Sequence, residues 1–153
     1  MEKADADVCN DLGVAYFEVG DDEKATEWFG MAVSKNGNHA PAISNRANCL
    51  KRRGLMREAE SDYTRAIEID NTNPKAYMNR GLLLREQGMN SRAHRDYQRA
   101  LDLDPHNAML QAEVKALAEK LAEAGVSSGA SAGGGNTTTS SANDEQPLRR
   151  ERL

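Results

Sequence analysis

The feature that most constrains this 153-residue chain is a period. The stretches LGVAYFEVGDDEKATEWFGMAV, RANCLKRRGLMREAESDYTRAI and RGLLLREQGMNSRAHRDYQRAL begin at Leu12, Arg46 and Arg80, a step of 34 residues each time with no gap. In that register Gly20, Gly54 and Gly88 coincide, as do Ala25, Ala59 and Ala93. Phe29, Tyr63 and Tyr97 form a third column, and Ala32, Ala66 and Ala100 a fourth. A fixed period of this length marks a solenoid, whose units cannot bury their apolar faces alone and therefore stack.

The columns have physical meanings. A glycine after a helical stretch takes the left-handed conformation that ends a helix. The alanine and aromatic columns are four and then three residues apart, so they share one face of a second helix. Small residues there let two helices approach, and the ring fills the remaining space. Gly13 and Gly81 serve the same approach within first helices, at a propensity cost of about 1 kcal/mol each relative to Ala. Asp22 and Asn90 are expected to cap the second helices, whereas Met56 at the equivalent place offers no cap and leaves the middle turn to packing. Asn73-Pro74 reads as a helix start.

These signals predict an all-α solenoid of three helix-turn-helix repeats, 6–39, 40–73 and 74–107. Its helices fall near 6–19, 22–35, 40–53, 56–69, 74–87 and 90–103. A seventh, near 107–123, places Leu110, Val114, Leu117 and Leu121 at helical spacing. It is expected to cap the last hairpin, with a dimerising helix as the alternative. The repeat domain is thus expected to occupy 1–124. From 125 to 153 the chain turns to Ser, Gly and Thr with almost no bulky apolar group, the composition of a disordered tail. The closing PLRRERL reads as a solvated terminus rather than a docking peptide.

Composition agrees. Aromatics at 5% suit close-packed helices better than a sheet core. A net charge of −4 argues against general nucleic-acid affinity, and no run approaches the roughly 18 apolar residues of a membrane span. The start MEKADADV lacks the apolar core of a secretory signal, and Glu151-Arg152-Leu153 is not a peroxisomal address. A cytoplasmic location is the default expectation, with a nuclear or ciliary interior left open. Cys9 and Cys49 have no metal-ligand spacing and read as packing residues. His39, His94 and His106 form no metal motif, and no nucleophile–base set or phosphate-cradling loop is visible. Neither an enzyme nor a cofactor or metal site is expected.

The pattern resembles the tetratricopeptide repeat (TPR) family. Residues 74–107 carry the fullest match, with Tyr77, Gly81, Leu84, Gly88, Ala93, Tyr97, Ala100 and Pro105. The second repeat has Ala47 where the family usually has Gly and Asn71 where it usually has Pro. The first ends SKNGNH and is the least regular. The resemblance implies protein or peptide binding in a concave groove lined by the first helix of each repeat. Carried onto this chain, that lining comprises Asp7, Asn10, Asp11, Val14, Phe17 and Glu18, then Ser44, Asn45, Asn48, Lys51 and Arg52. Lys75, Met78, Asn79, Leu82, Arg85 and Glu86 complete it.

The implied role is a non-catalytic adaptor or assembly subunit. One alternative is a cochaperone for heat-shock chaperones. The family's cochaperones clamp a C-terminal carboxylate with two Lys, two Asn and one Arg, where this chain has Asn10, Val14, Asn45, Lys75 and Asn79. Only Asn45 and Lys75 match, and two lost cations would cost several kcal/mol at about 1.5–3 kcal/mol per charged hydrogen bond. The other alternative is a structural subunit locked in a larger complex. Partner identity and oligomeric state are not legible.

Charge is uneven along the array. Residues 1–39 hold three Lys/Arg against nine Asp/Glu, a net −6, whereas residues 40–107 hold twelve against nine, a net +3. Arg92, Arg95 and Arg99 form a stripe on the last second helix, with Asp96 and Asp102 as expected local partners. Without aromatic stacking residues on that face, the stripe is a poor single-strand nucleic-acid platform.

Overall fold

The computed structural model describes residues 2–125, and the expected tail lies outside them apart from Gly125. Among the described residues there are seven helices and no strand. They are α1 (Glu2–Glu18), α2 (Asp22–Lys35), α3 (Ala40–Arg52), α4 (Met56–Ile69), α5 (Pro74–Glu86), α6 (Asn90–Leu103) and α7 (Ala108–Glu123). The pairs α1–α2, α3–α4 and α5–α6 are the three expected hairpins, and α1 starts four residues earlier than its periodicity predicts.

Each hairpin turns on its glycine. Gly20, Gly54 and Gly88 have φ of 85°, 80° and 79°, the left-handed region that other residues rarely adopt. The caps fall differently from expectation. Asp22 and Asn90 are the first helical residues, not the caps. Asp21 caps α2, its side chain accepting from the Lys24 amide at 3.1 Å, while Leu55 and Met89 precede α4 and α6 with no side-chain cap bond. Two of the three second helices therefore begin without a polar cap and depend on packing. The joints between repeats are capped in strict register instead. His39, Asn73 and Asn107 accept from the amides of Ala42, Lys75 and Leu110 at 3.1, 3.1 and 3.2 Å.

The alanine and aromatic columns form the core. Ala25, Ala59 and Ala93 are fully buried, and Phe29, Tyr63 and Tyr97 nearly so. A Cβ added at Gly13 would lie 2.5 Å from the Phe29 ring, and one at Gly81 3.0 Å from Tyr97, which is why first helices carry glycine there. Helix α7 buries Leu110 and Leu117 in the cluster of Ala93, Tyr97 and Ala100, with Val114 packed alongside, so it covers the last hairpin. First helices touch one another directly, α1 with α3 and α3 with α5, while α2 and α4, or α4 and α6, approach at most marginally. The array therefore bends toward its first helices.

Candidate partner-binding groove

That bend decides which side chains share the inner face. Three cross-helix contacts trace it from end to end. The Asn45 amide of α3 donates to Asn10 Oδ1 of α1 at 3.0 Å, Lys51 of α3 pairs with Glu86 of α5 at 3.1 Å, and Arg85 of α5 pairs with Glu113 of α7. These contacts join Asn10, Asn45, Lys51 and Arg85 of the expected lining to their neighbouring elements. Asp11, Arg52 and Lys75 are exposed, and Asn10, Val14, Phe17, Asn45, Asn48, Lys51, Met78, Asn79, Leu82 and Arg85 are half-buried.

They do not contribute equally. Val14 and Phe17 pack on the cluster of Ala25, Phe29 and Cys49, and Met78 and Leu82 on the cluster around Leu84 and Tyr97, so these four form the apolar floor. Asn48 Oδ1 is occupied by the Tyr63 hydroxyl, which leaves its amide N–H groups for a ligand. Asp7 holds His39 Nε2 at 2.8 Å. Arg52 lies 3.6 Å from the centre of the Phe17 ring, bonds the Phe17 carbonyl at 3.0 Å and pairs with Asp22. Most groove cations are therefore neutralised by acids of neighbouring elements. Among the described groove cations, Lys75 has no acidic partner.

At the positions of the carboxylate clamp, Val14 offers no polar group and the Asn10 and Asn45 side chains bond each other. Asn79 supplies an amide where the clamp would use a guanidinium.

The strongest electrostatic feature escaped the sequence reading. Arg46 forks onto Asp62 at 2.6 and 2.9 Å, and Arg80 onto Asp96 at 2.7 Å twice, with the second Arg80 amino group reaching Thr64 Oγ1 at 3.2 Å. Asp62 and Asp96 are 8% and 7% exposed, so both pairs are shielded. The hydrogen bonds it donates to Asp96 hold the Arg80 guanidinium above its ordinary pKa, and those to Asp62 do the same for Arg46. The signal was present, since Arg46 and Arg80, and Asp62 and Asp96, are each 34 residues apart. Asp96 is thus not a partner of the arginine stripe. Arg92 pairs with Glu60 of α4, the Arg99 guanidinium lies 5.9 Å from the Tyr77 ring centre, and Asp102 accepts from Gln98 at 3.1 Å.

Stacked hairpins bent around their first helices define a helical-repeat protein. Its sequence specifies which one: the Tetratricopeptide repeat profile matches residues 40–73 and 74–107, and the chain belongs to that family. Similar solved structures include the second TPR of Spaghetti (RPAP3) bound to the HSP90 peptide SRMEEVD, 31% identical over 66% of this chain and 94% of that one, with a TM-score of 0.63. The first TPR of the same protein, bound to the same peptide, is 27% identical over 78% of this chain and 95% of that one, at a TM-score of 0.74. The Arabidopsis OM64 TPR domain is 28% identical over 78% and 99%, also at 0.74. Comparison with curated proteins finds no match. Among the described residues, no helix is long and apolar enough to cross a membrane.

Proposed function

We propose that this chain is a non-catalytic adaptor that holds a peptide or helix of another protein against Asn10, Asp11, Val14, Phe17, Asn45, Asn48, Lys51, Arg52, Lys75, Met78, Asn79, Leu82 and Arg85. The observation that carries this reading is the inner face itself. Half-buried amides from α1, α3 and α5 lie over an apolar floor, and an amide both donates and accepts, as a peptide backbone requires. Related domains with peptides bound support it. The test is cross-linking and affinity purification with wild type and Lys75→Glu/Asn79→Glu, two positions free of the intramolecular pairs that Lys51 and Arg85 make. Loss of partners with unchanged circular dichroism supports the groove. An unchanged partner set refutes it.

The second reading is a cochaperone with an altered clamp, favoured by the HSP90 and HSP70 peptides bound in the similar domains. Lys75 is the cation it would rely on. The peptide SRMEEVD should then bind in a titration and be lost on Lys75→Ala. Equal binding by the C-terminally amidated peptide counts against it, because a carboxylate clamp needs the free carboxylate.

A further inference from the structure

The same columns of each first helix receive the second helix of the repeat before it. In α3 these are Ala42 and Cys49, both fully buried, Ala42 in a cluster with Ala32 and Val33 and Cys49 in one with Ala25 and Phe29 of α2. In α5 they are Ala76 and Leu83, buried with Ile67 and with Ala59 and Tyr63 of α4. In α1 they are Val8 and Ala15, and there they are open to solvent. Val8 is 57% exposed, Leu12 37% and Val19 78%. Residues 8, 12, 15 and 19 are spaced by four, three and four, so they form one apolar stripe along the helix.

A second substitution points the same way. Leu12 and Trp28 stand in the columns that hold Arg46–Asp62 and Arg80–Asp96 in the later repeats. Arg80 in that column reaches Thr64 on the preceding second helix. Leu12 therefore turns an apolar group toward the place where such a helix would lie. A face that the later repeats bury is thus apolar and uncovered in the first repeat among the described residues.

We propose that this face of α1 docks an amphipathic helix of a partner protein, with small or aliphatic residues along its stripe and Lys or Arg beside it. The basic requirement comes from the borders. Asp11 and Glu18, both exposed, flank the stripe on one side, while exposed Asp5 on the other is already paired with Lys35 at 3.8 Å, so the basic requirement rests on Asp11 and Glu18. A second copy fits poorly in either arrangement. Face to face, it would oppose like-charged borders. Head to tail, it would need the place on Ala93, Tyr97 and Ala100 that α7 already fills.

The test uses the full chain and its single tryptophan, half-buried Trp28, which belongs to the same end of the array. The probe is a synthetic peptide of residues 89–104, a second helix with an alanine–tyrosine stripe, three arginines and no tryptophan. A hydrocarbon staple replaces Gln98 and Asp102 to hold it helical. Trp28 emission should change saturably with peptide, and the Kd should rise at least about tenfold in Leu12→Glu and also with added salt, but not in Lys75→Ala. Leu12 is already partly exposed, and far-UV circular dichroism checks that its variant folds. Equal binding by Leu12→Glu, or no saturation up to about 1 mM peptide, overturns the proposal. So does sedimentation showing a dimer that Leu12→Glu dissolves, because the face would then belong to a second copy.

Discussion

Removing Asp96 alone should cost far more than removing Asp96 and Arg80 together. The carboxylate is 7% exposed and takes two bonds of 2.7 Å from Arg80, whose side chain is itself only 18% exposed. In Asp96→Ala the guanidinium keeps only Thr64 and stays half-desolvated. Breaking a buried pair costs about 3–5 kcal/mol, and the residual solvent access of Arg80 puts this case near the lower end, about 3 kcal/mol. For a domain of this size that is roughly 9–15 °C in Tm. Arg80→Leu strands the buried carboxylate and should cost as much. The double variant Arg80→Leu/Asp96→Leu strands neither charge. The first repeat already tolerates apolar Leu12 and Trp28 in these columns, so the double variant should lie within about 1 kcal/mol of wild type. The assay is a urea double-mutant cycle followed by circular dichroism, with the m-value monitored because a repeat array can open from one end. The pair is shielded, so the cycle should change little between low and high salt. A single-variant cost below about 1 kcal/mol, or a double cost equal to the sum of the singles, would refute the reasoning.

Three glycines should respond in three ways to alanine. Gly30 lies in α2 with nothing within 4 Å of an added Cβ, so Gly30→Ala should stabilise by about 0.5–1 kcal/mol from helix propensity. Gly13→Ala drives a methyl into Phe29 and should destabilise by about 1–3 kcal/mol. Gly81→Ala should be milder than Gly13→Ala, because Ala47 already occupies that column in the second repeat; thermal melts of the three variants check the order. Burial pushes the Cys49 thiol from about 9 up to about 11. The folded state therefore holds this proton more tightly than the unfolded one, and its contribution is complete below pH 9 and lost as pH rises toward 11. Cys49→Ala should flatten the stability loss in that window, measured by urea titrations at pH 8, 9, 10 and 11; an unchanged slope would assign the loss elsewhere. Native Cys49 should also resist iodoacetamide at pH 8 until urea exposes it.

The period made the hairpins legible because Gly, Ala and ring columns each answer a backbone or packing need that recurs every 34 residues. Positions within a turn were less legible. Asp21 and Asp22 are chemically identical, and only the backbone angle decides which one caps. The Arg–Asp pairs recur at the period but were masked for a different reason. Their members lie sixteen residues apart on different helices, and local spacing instead offers Asp96 to its helical neighbours Arg92 and Arg99. The tertiary partner prevails because Asp96 is buried beside Arg80, where a bidentate pair meets less competition from water. The charge state of the expected groove residues was not legible in sequence. Lys51, Arg52 and Arg85 look like free cations in sequence, and each has an acidic partner supplied by a neighbouring helix or turn.

That neutralisation sets what the groove can select. A ligand carboxylate would meet Lys75 and otherwise have to displace Glu86, Asp22 or Glu113 from their partners. Charge alone therefore gives it little advantage over a neutral segment. The amides of Asn10, Asn45, Asn48 and Asn79 impose a geometric requirement instead, and the floor of Val14, Phe17, Met78 and Leu82 imposes a spacing for apolar side chains. Selection by the proposed groove would rest on the shape and hydrogen-bonding order of a peptide more than on its charge. The acidic, apolar face of α1 has the opposite character, and its residues 8, 12, 15 and 19 do not overlap the groove positions. The proposed groove and the proposed α1 face thus differ in chemistry and meet along Asp11 and Glu18, so an occupant of one would lie beside an occupant of the other.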